Sequence, residues 1–432
     1  MILIFGLDGG DRGSISQLDM PFLNSLLSFD NCNGKICTLA RGWWEMCTGR
    51  SAFDNGVWYT RQAVSNSAYF DQRLPLHAKD ASFLWDSLAS RGIRTGVVNV
   101  PTSILPTSTN GFFVSGSGGG MNGKGVSLDK YTSSLSVTNV LLQNNYVVDV
   151  RLKASKIIEV DILFDELLSM TESQIKSVIE LQKKFSVDLL FYANMALRTV
   201  LNLFSRHIIE GDAPAKLQHF AFKLDTQIRR LFDCLEPDNW FLISDHGTEP
   251  FLFRVCLTPN VNLGWNNYNS HVQRVKRKFL KKLSQPYRTS DTFFSVRYIP
   301  GIYINDQRFG QCVRGSSEFS SLQEYSEQIR EALARYGMSP TIRVARSQNL
   351  IPDLFIEKPY GCFFENSYLA KEELEHIISP VHKWSGDLKS VKSDIVGGVK
   401  SSRCLFTSNT DHTKTVNERA LADLYHIILS ML

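Results

Sequence analysis

Trp240-Phe-Leu-Ile-Ser-Asp-His-Gly247 decides how this chain is read. Four apolar or aromatic residues break off at a serine, an acid, an imidazole and a glycine. A run this short and apolar fits a strand buried on both faces, with the polar break at its carboxyl end. A second run of the same shape opens the chain, where Ile2-Leu-Ile-Phe-Gly-Leu7 stops at Asp8-Gly-Gly-Asp11. Further runs lie at 95–100, 188–192 and 301–305. Residues 82–91, 175–185, 215–235 and 322–336 carry apolar side chains three or four apart, the helical spacing, and 417–432 reads as a C-terminal helix. Buried strands alternating with amphipathic helices predict an α/β fold, three layers (α/β/α) around a central, mostly parallel sheet.

Composition narrows the functional classes. The 432 residues are 43% hydrophobic and 21% charged, the balance of a globular protein. The net charge of +4 is too mild to argue for nucleic acid, and no such partner is expected. No stretch of about 18 apolar residues occurs, so no membrane span is expected. The first residues lack a basic n-region and a small-residue cleavage site, which makes them a strand rather than a signal peptide. Eight cysteines without a C-x-x-C pair predict reduced thiols and a cytoplasmic protein.

The organisation expected is a single domain over 1–432. A smaller inserted or cap region falls near 250–300, where the composition turns basic, and a flexible loop of about 115–136 opens with Ser115-Gly-Ser-Gly-Gly-Gly120. The basic run His271-Val-Gln-Arg-Val-Lys-Arg-Lys-Phe-Leu-Lys-Lys282 reads as a solvated helix with Val275, Phe279 and Leu280 turned inward. The alternative for it is a surface for anions, RNA or membrane.

Ligands of open parallel sheets bind outside the carboxyl ends of the strands. Asp8 follows the first strand, and Asp245 and His246 follow another. Two carboxylates and an imidazole at adjacent strand tips make a site for a hard-to-borderline divalent cation: zinc first, with manganese, magnesium or calcium as alternatives. An acid in such a place otherwise caps the next helix.

In these motifs the chain resembles the type I phosphodiesterase/nucleotide pyrophosphatase branch of the alkaline phosphatase superfamily, as a divergent member. Gly6-Leu-Asp-Gly9 is similar to the family's first metal-ligand loop, and Thr48-Gly-Arg-Ser-Ala-Phe-Asp-Asn-Gly56 to its Thr-Gly…His-Gly segment, with Asn55 in place of the histidine. Leu84-Trp-Asp-Ser-Leu88, Val98-Asn-Val-Pro101, Asn110-Gly-Phe-Phe-Val-Ser-Gly116, Gly301-Ile-Tyr-Ile-Asn305 and Ile351-Pro-Asp-Leu354 resemble later elements in the same order.

The resemblance implies one metal ion on Asp8, Asp245, His246 and the nucleophile. The family's second ion needs an Asp-x-x-x-His pair and a late histidine. Alignment places Arg198, Asn202 and Leu388 at those positions, so one ion is expected. Arg198 and Asn202, four apart on a helix, point to one spot. There the guanidinium either grips an oxyanion in place of the missing ion or pairs with a neighbouring carboxylate. The nucleophile implied is Thr38, one residue beyond the family's spacing from Thr48, which falls on Leu39. Cys37-Thr-Leu-Ala-Arg41 is also similar to the sulfatase Cys-x-Pro-x-Arg motif, but Leu39 replaces the proline, and Cys37 reads as a small core residue. Trp43 and Trp44 either stack on a substrate ring or pack, and Glu45 is either a site carboxylate or a surface residue. His382 and His412 read as loop or surface histidines rather than late ligands.

The function expected is a single-metal hydrolase or transferase acting on an anionic phosphodiester or a phosphate or sulfate ester, with Thr38 as a metal-activated nucleophile. The alternative is a degenerate superfamily member that binds a ligand or partner without turnover.

Overall fold

The computed structural model describes residues 1–36, 42–51, 61–62, 72–73, 82–101, 103, 105–106, 109–116, 128–150, 157–257, 293–295, 301–304, 317–345, 352–365, 378–381, 390–392, 397–414 and 416–432. The opening run forms strand β1 (Ile2–Leu7), buried throughout. Its side chains alternate as a pleat requires: Ile2 and Ile4 enter one hydrophobic core, while Leu3, Phe5 and Leu7 enter another on the opposite face. This is why the run is apolar at every position.

β1 lies inside an eight-stranded sheet. The other strands are β2 (Asn33–Lys35), β3 (Thr95–Val98), β4 (Gly111–Val114), β5 (Leu189–Asn194), β6 (Asn239–Ile243), β9 (Arg403–Ser408) and β10 (Glu418–Ala420), in the order β10-β2-β9-β6-β1-β5-β3-β4. β1 is parallel to both neighbours, β5 and β6. The strand that reverses is β9, antiparallel to β2 and to β6. Helices α2 (Pro21–Leu27), α5 (Leu135–Gln143), α6 (Val160–Phe185), α7 (Ala196–Ile209) and α8 (Ala215–Leu235) cover one face. Helices α3 (Gly42–Thr48), α4 (Leu84–Ser90) and α10 (Asp423–Met431) cover the other, which gives the expected three layers.

Two stretches depart from the periodicity reading. α6 begins fifteen residues before the expected 175, because its buried face carries Thr171, Ser173, Gln174 and Ser177, which break the apolar spacing. At the C-terminus, residues 418–420 form strand β10 beside β2, and α10 starts only at Asp423. There, pairing at a sheet edge overrides the local helical pattern.

After β6 the chain forms β7 (Gly247–Pro250), which pairs antiparallel with β8 (Gly398–Ser401), Pro250 opposite Gly398. The chain leaves the main sheet and returns at one point. The residues between build a core of their own, with Val255, Ile302, Leu322, Ile329, Leu354 and Phe364 buried beside helix α9 (Ser317–Ala334). The basic run 271–282 lies outside the described residues. Of the loop at 115–136, Leu128–Tyr131 form a 3-10 turn and Ser134 caps α5, while 117–127 lie outside the described residues. Among the described residues no helix is long and apolar enough to cross a membrane.

α2 lacks a side-chain cap at its own N-terminus. Asp225 of α8 supplies it instead, accepting from the backbone N–H groups of Phe22 (2.8 Å) and Leu23 (2.9 Å). Asp225→Ala leaves both donors without that acceptor and is expected to lower unfolding free energy by about 1–3 kcal/mol in urea titrations. An unchanged midpoint and slope would show that α2 is held by packing alone.

Candidate metal centre

Parallel pairing of β1 with β6 in near-level register makes their carboxyl ends finish side by side, with Gly6 opposite Ile243. Asp8 leaves the first tip, and Asp245 and His246 leave the second. Side chains and backbone lace the two loops together. Ser244 Oγ donates to Gly10 O (2.6 Å), Thr248 Oγ1 donates to Gly9 O (2.8 Å), and Thr248 N donates to Asp11 Oδ2 (3.2 Å). Asp11 also caps the short helix α1 (Arg12–Ser16) through Ser14 N. Two glycines permit the approach of α3. A Cβ on Gly6 would stand 2.5 Å from the Trp43 ring, and one on Gly42 would collide with the Asp245 carbonyl.

Asp8, Asp245 and His246 are each nearly closed to solvent, and one ligand atom from each lies within 4.8 Å of the others. His246 Nε2 is 3.8 Å from Asp8 Oδ1 and 3.5 Å from Asp245 Oδ2. His246 Nδ1 lies 2.8 Å from Gly247 O, which only accepts, so Nδ1 carries the proton and Nε2 presents a lone pair. The carboxylates are arranged in the same way. Trp43 Nε1 donates to Asp8 Oδ2 (3.0 Å) and Gly9 N to Asp245 Oδ1 (3.4 Å), which leaves the other oxygen of each toward the shared centre. Asp8 Oδ1 and His246 Nε2 are buried without a hydrogen-bond partner. Buried acceptors facing each other unmet are destabilising, and a divalent cation satisfies them together. Two carboxylates and one neutral imidazole fit zinc or manganese well.

Burial, reinforced by the charge of Asp8, pushes the Asp245 carboxyl up to about 8. Burial, with Lys400 adding to it, pushes the His246 imidazole down to about 3, so the ring is neutral over the physiological range.

Two cationic side chains flank the trio. Arg198, on α7 after β5, places Nε 3.9 Å from Asp8 Oδ1 and bonds through Nη2 to Asp149 (3.1 Å). Of the two sequence alternatives for Arg198, the pairing with a neighbouring carboxylate is the one observed, and the residue stands beside the site. Asn202 lies one turn further along α7, its backbone carbonyl accepting from Gly397 N (2.7 Å). No described side-chain bond ties it to the trio. Lys400, on β8, brings Nζ to 3.9 Å from Asp245 Oδ2.

Thr38, Cys37, Leu39, Asn55, His382 and Leu388 lie outside the described residues. Trp43 and Trp44 are buried and pack, against Phe191 and Phe83 respectively, so neither offers a face to a substrate ring. Glu45 is fully buried rather than a surface residue. His412 is exposed on a short helical turn, its carbonyl bonded to Arg419, and does not join the cluster of Asp8, Asp245 and His246. Sequence reasoning missed Asp149, Lys400 and the role of Trp43 as donor to Asp8. Each reaches the site from a distant segment, and only the Trp that opens α3 had a local signal.

Metal-free protein titrated with zinc is expected to take up about one equivalent, and Asp8→Asn and Asp245→Asn to take up little. Because Asp245 must shed its proton to ligate, affinity should rise by up to about tenfold per pH unit below 8 and level off above it. The same raised value stabilises the metal-free fold at low pH, a contribution lost as pH climbs through about 8. Uptake of two equivalents by calorimetry, or affinity flat between pH 6 and about 8, would contradict this arrangement.

No family model matches the sequence, and no curated protein matches it by sequence. Solved structures do match by fold. Human ectonucleotide pyrophosphatase/phosphodiesterase 5 superimposes with a TM-score of 0.52 at 10% identity, covering 100% of this chain and 94% of that one. Phosphonoacetate hydrolase from Sinorhizobium meliloti 1021, in complex with phosphonoformate, gives 0.52 at 13% identity, covering 99% and 94%. Its complex with phosphonoacetate gives 0.52 at 12% over the same coverage. The three-layer architecture and the full-length superposition agree: this chain has the fold shared by these pyrophosphatase/phosphodiesterase and phosphonoacetate hydrolase structures.

Proposed function

We propose that the chain is a metal-dependent hydrolase or transferase of phosphodiesters or of phosphate or sulfate esters. A single divalent ion is held by Asp8, Asp245 and His246. The observation that carries this reading is the pair of buried, partnerless ligand atoms, Asp8 Oδ1 and His246 Nε2, facing one centre. A scaffold that needed only packing would place apolar side chains there.

When bound, the ion supplies Lewis-acid polarisation of an ester oxygen and lowers the pKa of a coordinated hydroxyl. The chain's own residues do the rest. Trp43 and Gly9 fix the carboxylates through their outer oxygens, and Gly247 fixes the tautomer of His246. Arg198 stands where a guanidinium reaches a non-bridging oxygen of the ester and counters charge developing in the transition state. We assign Thr38 as nucleophile. It lies four residues before Gly42 in the sequence, and the Gly42 backbone packs against Asp245. What supports this is the position in sequence together with the docking of α3.

The fold itself supports ester chemistry at an anionic centre only by analogy. One ion with an arginine carries less positive charge than two ions, which suits esters with a single negative charge at the reacting centre.

Zinc-loaded protein should cleave an aryl phosphodiester or aryl sulfate, with Thr38→Ala lowering kcat by about a thousandfold or more and leaving zinc uptake intact apart from one lost ligand. Turnover undiminished in Thr38→Ala would remove Thr38 as nucleophile. No turnover of any aryl phosphodiester, phosphomonoester or sulfate by zinc-loaded wild type would favour a binding protein over an enzyme.

A further inference from the structure

Lys400 has no counterpart among the ligands just described, and its geometry gives it a task. Its Nζ lies 3.9 Å from Asp245 Oδ2, too far for a hydrogen bond. The same protein shows what a lysine devoted to one carboxylate looks like: Lys358 Nζ stands 2.7 Å from Glu249 Oε1, and both side chains are buried. Lys400 is one-third exposed (33%). It is placed near Asp245 without being consumed by it.

Arg198 stands beside Asp8 in the same manner, with Nε also 3.9 Å from a ligand carboxylate and 27% of its side chain exposed. The carboxylates and the imidazole beneath are 2–4% exposed. Both cations are therefore more open to solvent than the ligand carboxylates they flank. The arms come from unrelated segments, α7 after β5 and β8 at the return of the insert, so their convergence belongs to the tertiary fold.

Arg198 is also held from behind. Asp149 binds its Nη2, and the segment carrying Asp149 is fixed by Gln174 Nε2, which donates to the carbonyls of Val147 (2.8 Å) and Val148 (3.1 Å). Gln174 Oε1 in turn accepts from Tyr192 OH (2.9 Å) and Asn194 Nδ2 (3.3 Å), at the tip of β5. One arm is rigid. The other, a lysine with three rotatable donors, is adjustable.

Resting on the metal-centre reading above, we propose that Lys400 and Arg198 form a two-armed clamp for one tetrahedral oxyanion, with Lys400 as the anion-binding residue on the Asp245 side. Three carboxylates, two side-chain cations and one divalent ion leave roughly one net positive charge, which matches a singly charged ester of phosphate or sulfate.

Methanesulfonate is an inert, singly charged tetrahedral anion suited to test this. It would be titrated by calorimetry into zinc-loaded wild type, Lys400→Met and Lys400→Arg, with zinc content and thermal unfolding measured on each. Weakening by about tenfold or more in Lys400→Met, with most affinity kept in Lys400→Arg and zinc content equal in all three, is the expected result. Equal affinity in Lys400→Met would overturn the clamp, as would wild type that holds zinc yet binds no methanesulfonate. In both cases the metal centre would stand. Loss of zinc from Lys400→Met would also overturn it, assigning Lys400 to support of the centre. Wild type that takes up no zinc would instead defeat the reading beneath it.

Discussion

Two carboxylates and an imidazole lone pair, brought together where water scarcely reaches, repel one another unless something positive stands between or beside them. Asp8, Asp245 and His246 are in that position because β1 and β6 are parallel neighbours whose tips end level. Much of the surrounding structure answers the resulting repulsion. The outer oxygen of each carboxylate is met by an N–H group from Trp43 or Gly9, His246 is kept neutral, and Arg198 and Lys400 add positive charge beside Asp8 and Asp245 respectively. The remaining inward-facing atoms form a ligand set that an ion completes. Such an arrangement is a poor way to stabilise a fold, because apolar side chains would do it at less cost. It makes sense as a place held ready for charge.

The sequence revealed the parts of this that are local. A buried strand announces itself by unbroken apolar residues, and the acid that ends it is the next residue along, so Asp8, Asp245 and His246 were readable from two short stretches. The layered architecture followed from alternation, since each run was too short to be a helix. Parts depending on distant segments stayed hidden. Lys400 enters from β8 only because the insert returns beside β7, and Asp149 enters through a turn fixed by Gln174. The start of α6 was missed for a related reason: Thr171, Gln174 and Ser177 face inward to serve polar contacts, so the helix looks irregular in sequence. One of these period-breaking residues, Gln174, holds the segment that carries Asp149. Tryptophans 43 and 44 illustrate the reverse error. Aromatics near a motif suggest stacking on a ligand, yet both fill the core, and one serves the site through its N–H rather than its face.

On the proposed reading, side-chain cations stand where a second divalent ion would otherwise be, and this has consequences for how the site behaves. An ion comes and goes with the concentration and pH of its surroundings, because its ligands must shed protons to receive it. Arg198 and Lys400 are covalently fixed, so on that reading half of the positive charge at this centre does not depend on supply. Permanence carries a structural cost. A free guanidinium beside Asp8 would swing onto its open oxygen and occupy the position an ion needs. Asp149 counters this by holding Nη2 from the far side, and the amide of Gln174 anchors the segment that carries Asp149. The buried polar ladder from Asn194 through Gln174 thus leads to the segment whose Asp149 is bonded to Arg198. Spacing Arg198 and Lys400 each 3.9 Å from a carboxylate is the physical compromise between neutralising the centre and leaving it open.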